Sequence, residues 1–128
     1  MKGYFGHIED LTLQNNNFRQ VIFTGNQSQL VLMTLQPNEE IGMETHHGND
    51  QFFRFESGIG KVIIGDESFE VKDGDCVVIP SGTAHNIINT SASDFLKMYT
   101  IYSPAHHPEG TIHVTKAEAM EAEEHEHH

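Results

Sequence analysis

The sequence predicts an all-β protein, an antiparallel sandwich or barrel of short strands. Three observations carry that prediction. Short apolar or alternating runs recur from residue 18 to residue 114. Clusters of Gly, Asn, Asp, Ser and Pro separate them, the residues that supply positive φ or local side-chain bonds in turns. No helical periodicity lies between the runs.

In chain order, Phe18–Thr24 closes at Gly25-Asn26, and Leu30–Gln36 ends at Pro37-Asn38. Ile41–His46 turns through Gly48-Asn49-Asp50 into Gln51–Glu56, which stops at Ser57-Gly58. Lys61–Ile64 and Ser68–Val71 flank Gly65-Asp66 and read as a tight hairpin, with Val62 and Ile64 facing Phe69 and Val71. Cys76–Ile79 follows Asp73-Gly74-Asp75, and Ala84–Asn89 follows Pro80-Ser81-Gly82. Phe95–Tyr102 and Thr111–Val114 complete the set. From about Lys116 the chain turns Ala- and Glu-rich and reads as a short C-terminal helix. Residues 1–116 are therefore expected to form one domain, with residues 117–128 as an acidic, His-containing helix or tail.

Composition narrows the function classes. The chain has 128 residues and a formal net charge of −12, from 7 Lys+Arg and 19 Asp+Glu. About two-thirds of the surface of a chain this size can be buried, enough for one core. The acidity argues against nucleic acid, whose phosphates need clustered Lys and Arg. Glu118, Glu121, Glu123, Glu124 and Glu126 all lie in the last twelve residues, and the remainder carries −7. Cys76 is the single cysteine, so no intrachain disulfide forms. No apolar run approaches the roughly 20 residues of a membrane span. The opening residues Met1 to His7 lack a signal-peptide apolar stretch, so a cytoplasmic protein is expected. Histidine is in excess, with 10 copies, three of them (His125, His127, His128) in the tail.

Two segments carry chemistry. Alternation in a strand puts Glu44 and His46 on one face and Thr45 and His47 on the other. After the Gly48 turn, Gln51 opens the next strand beside the pair. The second segment ends a strand in Pro80-Ser81-Gly82, and His85 opens the strand that follows, a fourth donor from a distant part of the chain. Carboxylate and imidazole are good ligands for first-row metals.

At these positions the chain resembles the cupins. One motif of that family runs Gly, five residues, Pro, one, Gly, two, His, three, Asn; Gly74, Pro80, Gly82, His85 and Asn89 match every fixed position. The other runs Gly, five, His, one, His, three or four, Glu, six, Gly. With a four-residue gap it falls on Asn38, Glu44, His46, Gln51 and Gly58. Asn38 replaces a turn glycine, which Asn tolerates. Glu44 stands where the family has a His ligand, and Gln51 where it has a Glu. A three-residue gap instead makes Thr45 and His47 the pair, with Thr a poor ligand. The resemblance covers about residues 30–103. It implies a double-stranded β-helix, or jelly-roll barrel, with one divalent first-row transition ion (Mn, Fe, Ni, Co or Zn) held inside by Glu44, His46, Gln51 and His85. The ligand charge stays at one negative unit but moves to another corner. Oxygen donors make half the set, which tilts preference toward Mn²⁺ or Fe²⁺. The competing reading is an empty pocket whose polar groups bond each other.

Other residues have plainer readings. Cys76 reads as a packed thiol in an apolar strand. His106-His107-Pro108 reads as a solvated loop, with a lid or proton relay as the sharper alternative, and His113 as an ordinary strand histidine. Gln51, Phe53 and Phe55 are expected inward, Phe52, Arg54 and Glu56 outward. Tyr99 and Tyr102 fall on opposite phases, so only one faces the pocket. Cupins commonly pair through an outer sheet face, so a homodimer packing Phe52 on its mate is expected.

Small chains of this pattern look like the group described as mannose-6-phosphate isomerase-like. That likeness suggests Lewis-acid isomerisation of a small sugar-like, diol or keto substrate, with Glu44 also a base. An Fe-dependent dioxygenase and a non-catalytic small-ligand sensor are the alternatives. A phosphorylated substrate needs a cationic clamp. Of the two arginines, Arg54 is on the outward phase and Arg19 is in a strand of unknown facing, so the sequence argues against one.

Overall fold

The computed structural model describes residues 2–126, and the side chains of residues 2–124. The tail histidines 125, 127 and 128 lie outside the described side chains. Helix α1 (Ile8–Gln14) precedes nine strands: β1 (Arg19–Thr24), β2 (Gln29–Leu35), β3 (Asp50–Ser57), β4 (Ile59–Ile64), β5 (Glu67–Lys72), β6 (Cys76–Ile79), β7 (His85–Asn89), β8 (Leu96–Ser103) and β9 (Ile112–His113). Helix α2 (Lys116–Glu126) follows. A six-stranded sheet in the order β6-β3-β8-β2-β1-β9 faces a three-stranded sheet β5-β4-β7, and every strand pair is antiparallel. The architecture is the expected mostly-β jelly roll with a short C-terminal helix.

The inner face of the large sheet is a continuous apolar surface. Phe53 and Phe55 of β3, Met98 of β8, and Val31, Met33 and Leu35 of β2 are each at most 1% exposed. Val62 and Ile87 of the small sheet close the core from the other side, both fully buried. Transfer of such side chains from water contributes about 1.5–3 kcal/mol each, the main term holding the two sheets together. β2 is buried on both faces because α1 covers the outer one. Thr34 Oγ1 donates to the Asn15 carbonyl at 2.8 Å, and Lys97 Nζ also reaches that carbonyl.

The structure corrects four local expectations. Residues 8–14 form a helix that alternation does not announce; its single clear signal is Glu9 and Asp10 in the first turn, favourable at a helix N-terminus. Ile41–His46 is not a continuous strand. Gly42 sits at φ +107° and interrupts it, leaving isolated bridges at Glu40–Ile88 and Glu44–His85. In the β4–β5 hairpin Val62 does oppose Phe69, but Ile64 opposes Glu67, and Val71 opposes Gly60. Glu56, expected outward, is buried because the β3–β8 register slips between Phe55 and Ser57.

Helix α2 begins as expected. Thr115 Oγ1 accepts from the Glu118 N–H at 3.1 Å, and Glu118 Oε2 reaches back to the Val114 N–H at 3.0 Å. This is a capping box displaced by one residue. Ala119, 2% exposed, joins the core.

Gly58 ends the loop-and-strand segment that carries the site. Its φ is +97°, and a Cβ there would collide with the Phe95 carbonyl oxygen. Gly58→Ala is expected to lower unfolding free energy by about 2–4 kcal/mol, combining left-handed strain with overpacking. Urea denaturation checks this, and a loss well under about 1 kcal/mol would contradict the tight approach.

Candidate metal centre

The site is built where the irregular segment 37–47 lies along β7. Glu44 and His85 exchange both backbone hydrogen bonds, Glu44 N–H to the His85 carbonyl and His85 N–H to the Glu44 carbonyl, each 2.9 Å. Residues so paired project their side chains to the same face. Two further bonds fix the segment's ends: Ile41 N–H to the Ile87 carbonyl at 2.9 Å, and Gly82 N–H to the His46 carbonyl at 2.7 Å. The second ties the Pro80–Gly82 turn directly to His46. Turn and strand therefore place His85 and His46 together, with ring centroids 5.2 Å apart.

Glu44, His46 and His85 offer three ligand atoms, all within 4.8 Å of one another. Thr45 and His47 are exposed on the other face, so the alternative pairing points to solvent. His85 Nδ1 lies 2.9 Å from the Thr83 carbonyl. A carbonyl only accepts, so Nδ1 carries the proton and Nε2 keeps its lone pair for a ligand. Burial lowers the His85 pKa, with the neighbouring His46 acting the same way and the Thr83 bond and Glu44 opposing. The ring stays neutral, as a ligand must. Burial pushes the Glu44 carboxyl up, but the His46 contact and the charge of Arg19 outweigh it, so its pKa lies below the ordinary value. The carboxylate stays ionised.

Two buried polar atoms of the cluster are poorly satisfied among the described residues. His46 Nε2 lies 3.0 Å from Glu44 Oε2 and is otherwise buried, with no hydrogen bond to any other described group. Gln51 is 3% exposed on β3; its Nε2 donates to Thr100 Oγ1 at 3.0 Å, which turns Oε1 the other way, and Oε1 too is buried without a partner. Orphaned buried acceptors cost roughly 1–3 kcal/mol each, a penalty that a cation coordinated by them would lift. The residues present therefore fit a divalent ion.

Sequence reading misses the wall around this cluster. Tyr102, not Tyr99, faces inward, because its register partners Gln51 and Gln29 lie on the inner face. Its ring sits 5.9 Å from that of His46, and its hydroxyl 3.2 Å from His107 Nε2. Burial raises the phenol pKa, so Tyr102 stays protonated. The His106–His107 loop is not simply solvated. His106 stacks on Tyr102 and meets the His46 ring edge-on at 4.3 Å, while His107 is buried. Gln29, fully buried, holds the loop, its Oε1 accepting from the His107 N–H at 3.0 Å and its Nε2 donating to the His107 carbonyl at 2.8 Å. The available signal was the inward phase of Gln29, a buried polar residue that requires a partner. His113 is a buried strand histidine, its Nδ1 3.2 Å from Arg19 Nη1. Cys76 is exposed, on the outward phase of the edge strand β6, rather than packed.

A cupin domain matches residues 31–102, more than half of the sequence. The chain belongs to the cupin family. It is 45% identical over 119 residues to an uncharacterised protein of Acanthamoeba polyphaga mimivirus, covering 91% of this chain and 74% of that protein. It is 44% identical over 129 residues to the uncharacterised protein YrkC of Bacillus subtilis, covering 96% and 69%. The crystal structure of a Bacillus halodurans protein, 43% identical, superposes with a TM-score of 0.91 over 94% of this chain and 95% of the other. A predicted oxalate decarboxylase of Thermotoga maritima, 23% identical with a TM-score of 0.59 over 62% and 70%, shares the fold alone. No described helix of this cupin is long and apolar enough to cross a membrane.

His107 makes the site's wall sensitive to acid. Burial, reinforced by the charges of Arg19 and the neighbouring histidines, drives its pKa down to about 2. The unfolded chain takes up a proton near pH 6.5 that the folded ring refuses. Stability therefore falls by about 1.4 kcal/mol per pH unit as pH drops below roughly 6.5, from this group alone. His107→Gln is expected to flatten the decline between pH 6 and 4.5 by about that slope relative to wild type. Parallel pH profiles for the two proteins would refute the assignment.

Proposed function

We propose that this cupin binds one divalent first-row ion through Glu44, His46, His85 and Gln51, and acts on a small oxygenated substrate by Lewis-acid isomerisation. The observation that carries it is the convergence of ligand atoms of Glu44, His46 and His85 within 4.8 Å, with His46 Nε2 and the added Gln51 Oε1 both buried and making no hydrogen bond. When bound, the ion supplies a Lewis acid that polarises a carbonyl or enediol oxygen. Glu44 would supply the negative charge of the ligand set, and its ionised carboxylate is the candidate base. His85, locked through Thr83, presents a neutral nitrogen. Tyr102 and His107, buried and hydrogen-bonded to each other at 3.2 Å, form an uncharged part of the wall. The mannose-6-phosphate isomerase-like reading belongs to this proposal, as does the homodimer. The dimer's support is the outer row in which Val78, 61% exposed, neighbours Phe52 and Ile101.

Metal analysis tests the ligand set, after replacing His125, His127 and His128 by serine so that tail binding does not contribute. Dialysed against Mn²⁺ or Fe²⁺, the protein is expected to retain about one ion per chain. The double variant His46→Ala, His85→Ala is expected to retain essentially none, and Gln51→Ala to bind at least about tenfold more weakly. Equal metal in the double variant and its parent would overturn the proposal.

A further inference from the structure

Arg19 was of unknown facing in the sequence, and the structure places it inside the barrel. On β1 it pairs with Met33, whose partner on β8 is Met98, and both methionines lie on the buried inner face. Arg19 itself is 2% exposed. Its partners are few for a buried guanidinium. Nη1 lies 3.2 Å from His113 Nδ1 and 3.5 Å from Glu123 Oε1 on α2, the Phe18 ring is 5.2 Å from Cζ, and Nε has no partner.

That is a poor bargain for stability alone. A buried guanidinium normally uses its planar fork on a carboxylate in two parallel bonds. Here the only described carboxylate touches one nitrogen at the limit of hydrogen-bond length, from a side chain that is 39% exposed. Removing a charge from water with so little returned is expensive, of order several kcal/mol. After burial, the Arg19 charge is among the influences acting on Glu44, Tyr102 and His107.

We infer that Arg19 forms an anion subsite inside the barrel, so that the substrate carries a carboxylate as well as the oxygenated group that meets the ligand cluster. Glu123 shows the chemistry the guanidinium accepts, and α2 supplies it from within the chain as a loosely held stand-in. The guanidinium, whose Nε–H makes no hydrogen bond, would be the donor to that carboxylate. The expected substrate class is therefore a small hydroxy or keto acid rather than a neutral polyol. The metal reading underlies this inference for the oxygenated end, but the carboxylate end stands on Arg19 alone.

The test is calorimetric titration of the whole protein, metal-free and Mn²⁺-loaded, with lactate and with its neutral counterpart propane-1,2-diol. Wild type is expected to bind lactate at least about tenfold more tightly than the diol, and Arg19→Gln to lose about tenfold in lactate affinity while its diol affinity is unchanged. Glu123→Gln, which removes the internal competitor without touching Arg19, is expected to tighten lactate binding, and it serves even if Arg19→Gln fails to fold. Lactate affinity that is the same in wild type, Arg19→Gln and Glu123→Gln overturns the subsite. So does inorganic phosphate binding more tightly than lactate, which would point to a different anion. Arg19-dependent lactate binding by metal-free protein, with no Mn²⁺ retained, supports the subsite and refutes the metal reading, so the two failures are distinguishable.

Discussion

The site depends on one pair of backbone hydrogen bonds, those that Glu44 and His85 exchange at 2.9 Å. The segment bearing Glu44 is too irregular to be held as a strand, since Gly42 interrupts it, and its other ties are single bonds. Release of that pair would separate a carboxylate and an imidazole that sit 41 positions apart in the chain. The motif glycine and proline act through it. Pro80 and Gly82 shape the turn that bonds to His46 and delivers the chain to His85, and Asn89 anchors the far end of β7 through three carbonyls, those of Leu35, Gln36 and Asp94. Ligand convergence is thus a product of main-chain geometry, with the side chains following.

Around that scaffold the barrel interior divides in two. One half is hydrophobic, Phe53, Phe55, Met33, Met98 and Leu35, and supplies stability. The other is polar and under-satisfied: His46 Nε2, Gln51 Oε1 and Arg19 Nε are all buried without partners. Interiors seldom tolerate such atoms. Two of these atoms belong to the candidate ligand cluster, and the third, a donor, is on β1. The neutral state of His85 and His107, enforced chiefly by burial, keeps this polar half from repelling a cation.

The strands were legible because alternation and turn residues are local signals, and the β6 bounds Cys76–Ile79 coincide with the run of apolar residues. The second motif was legible for the same reason, its spacing being set by one turn. What the sequence did not show depends on partners distant in the chain. Helix α1 is short and its stability comes from covering β2 and binding Lys97, not from its own pattern. Arg19 has no local feature to mark it as inward; only its register with Met33 does. His107 looked like a loop residue because the group that buries it, the Gln29 amide, lies 78 positions away. Cys76 sits in an apolar run that reads as packed, but β6 is an edge strand and exposes one phase of it.

A crystal of the protein soaked in Mn²⁺ and measured at the manganese absorption edge tests the proposed metal centre most directly. The expected result is one strong anomalous peak about 2.0–2.3 Å from Glu44 and Gln51 oxygens and the Nε2 atoms of His46 and His85. No peak among those four side chains, with manganese found only at surface carboxylates or the C-terminal histidines, would contradict it.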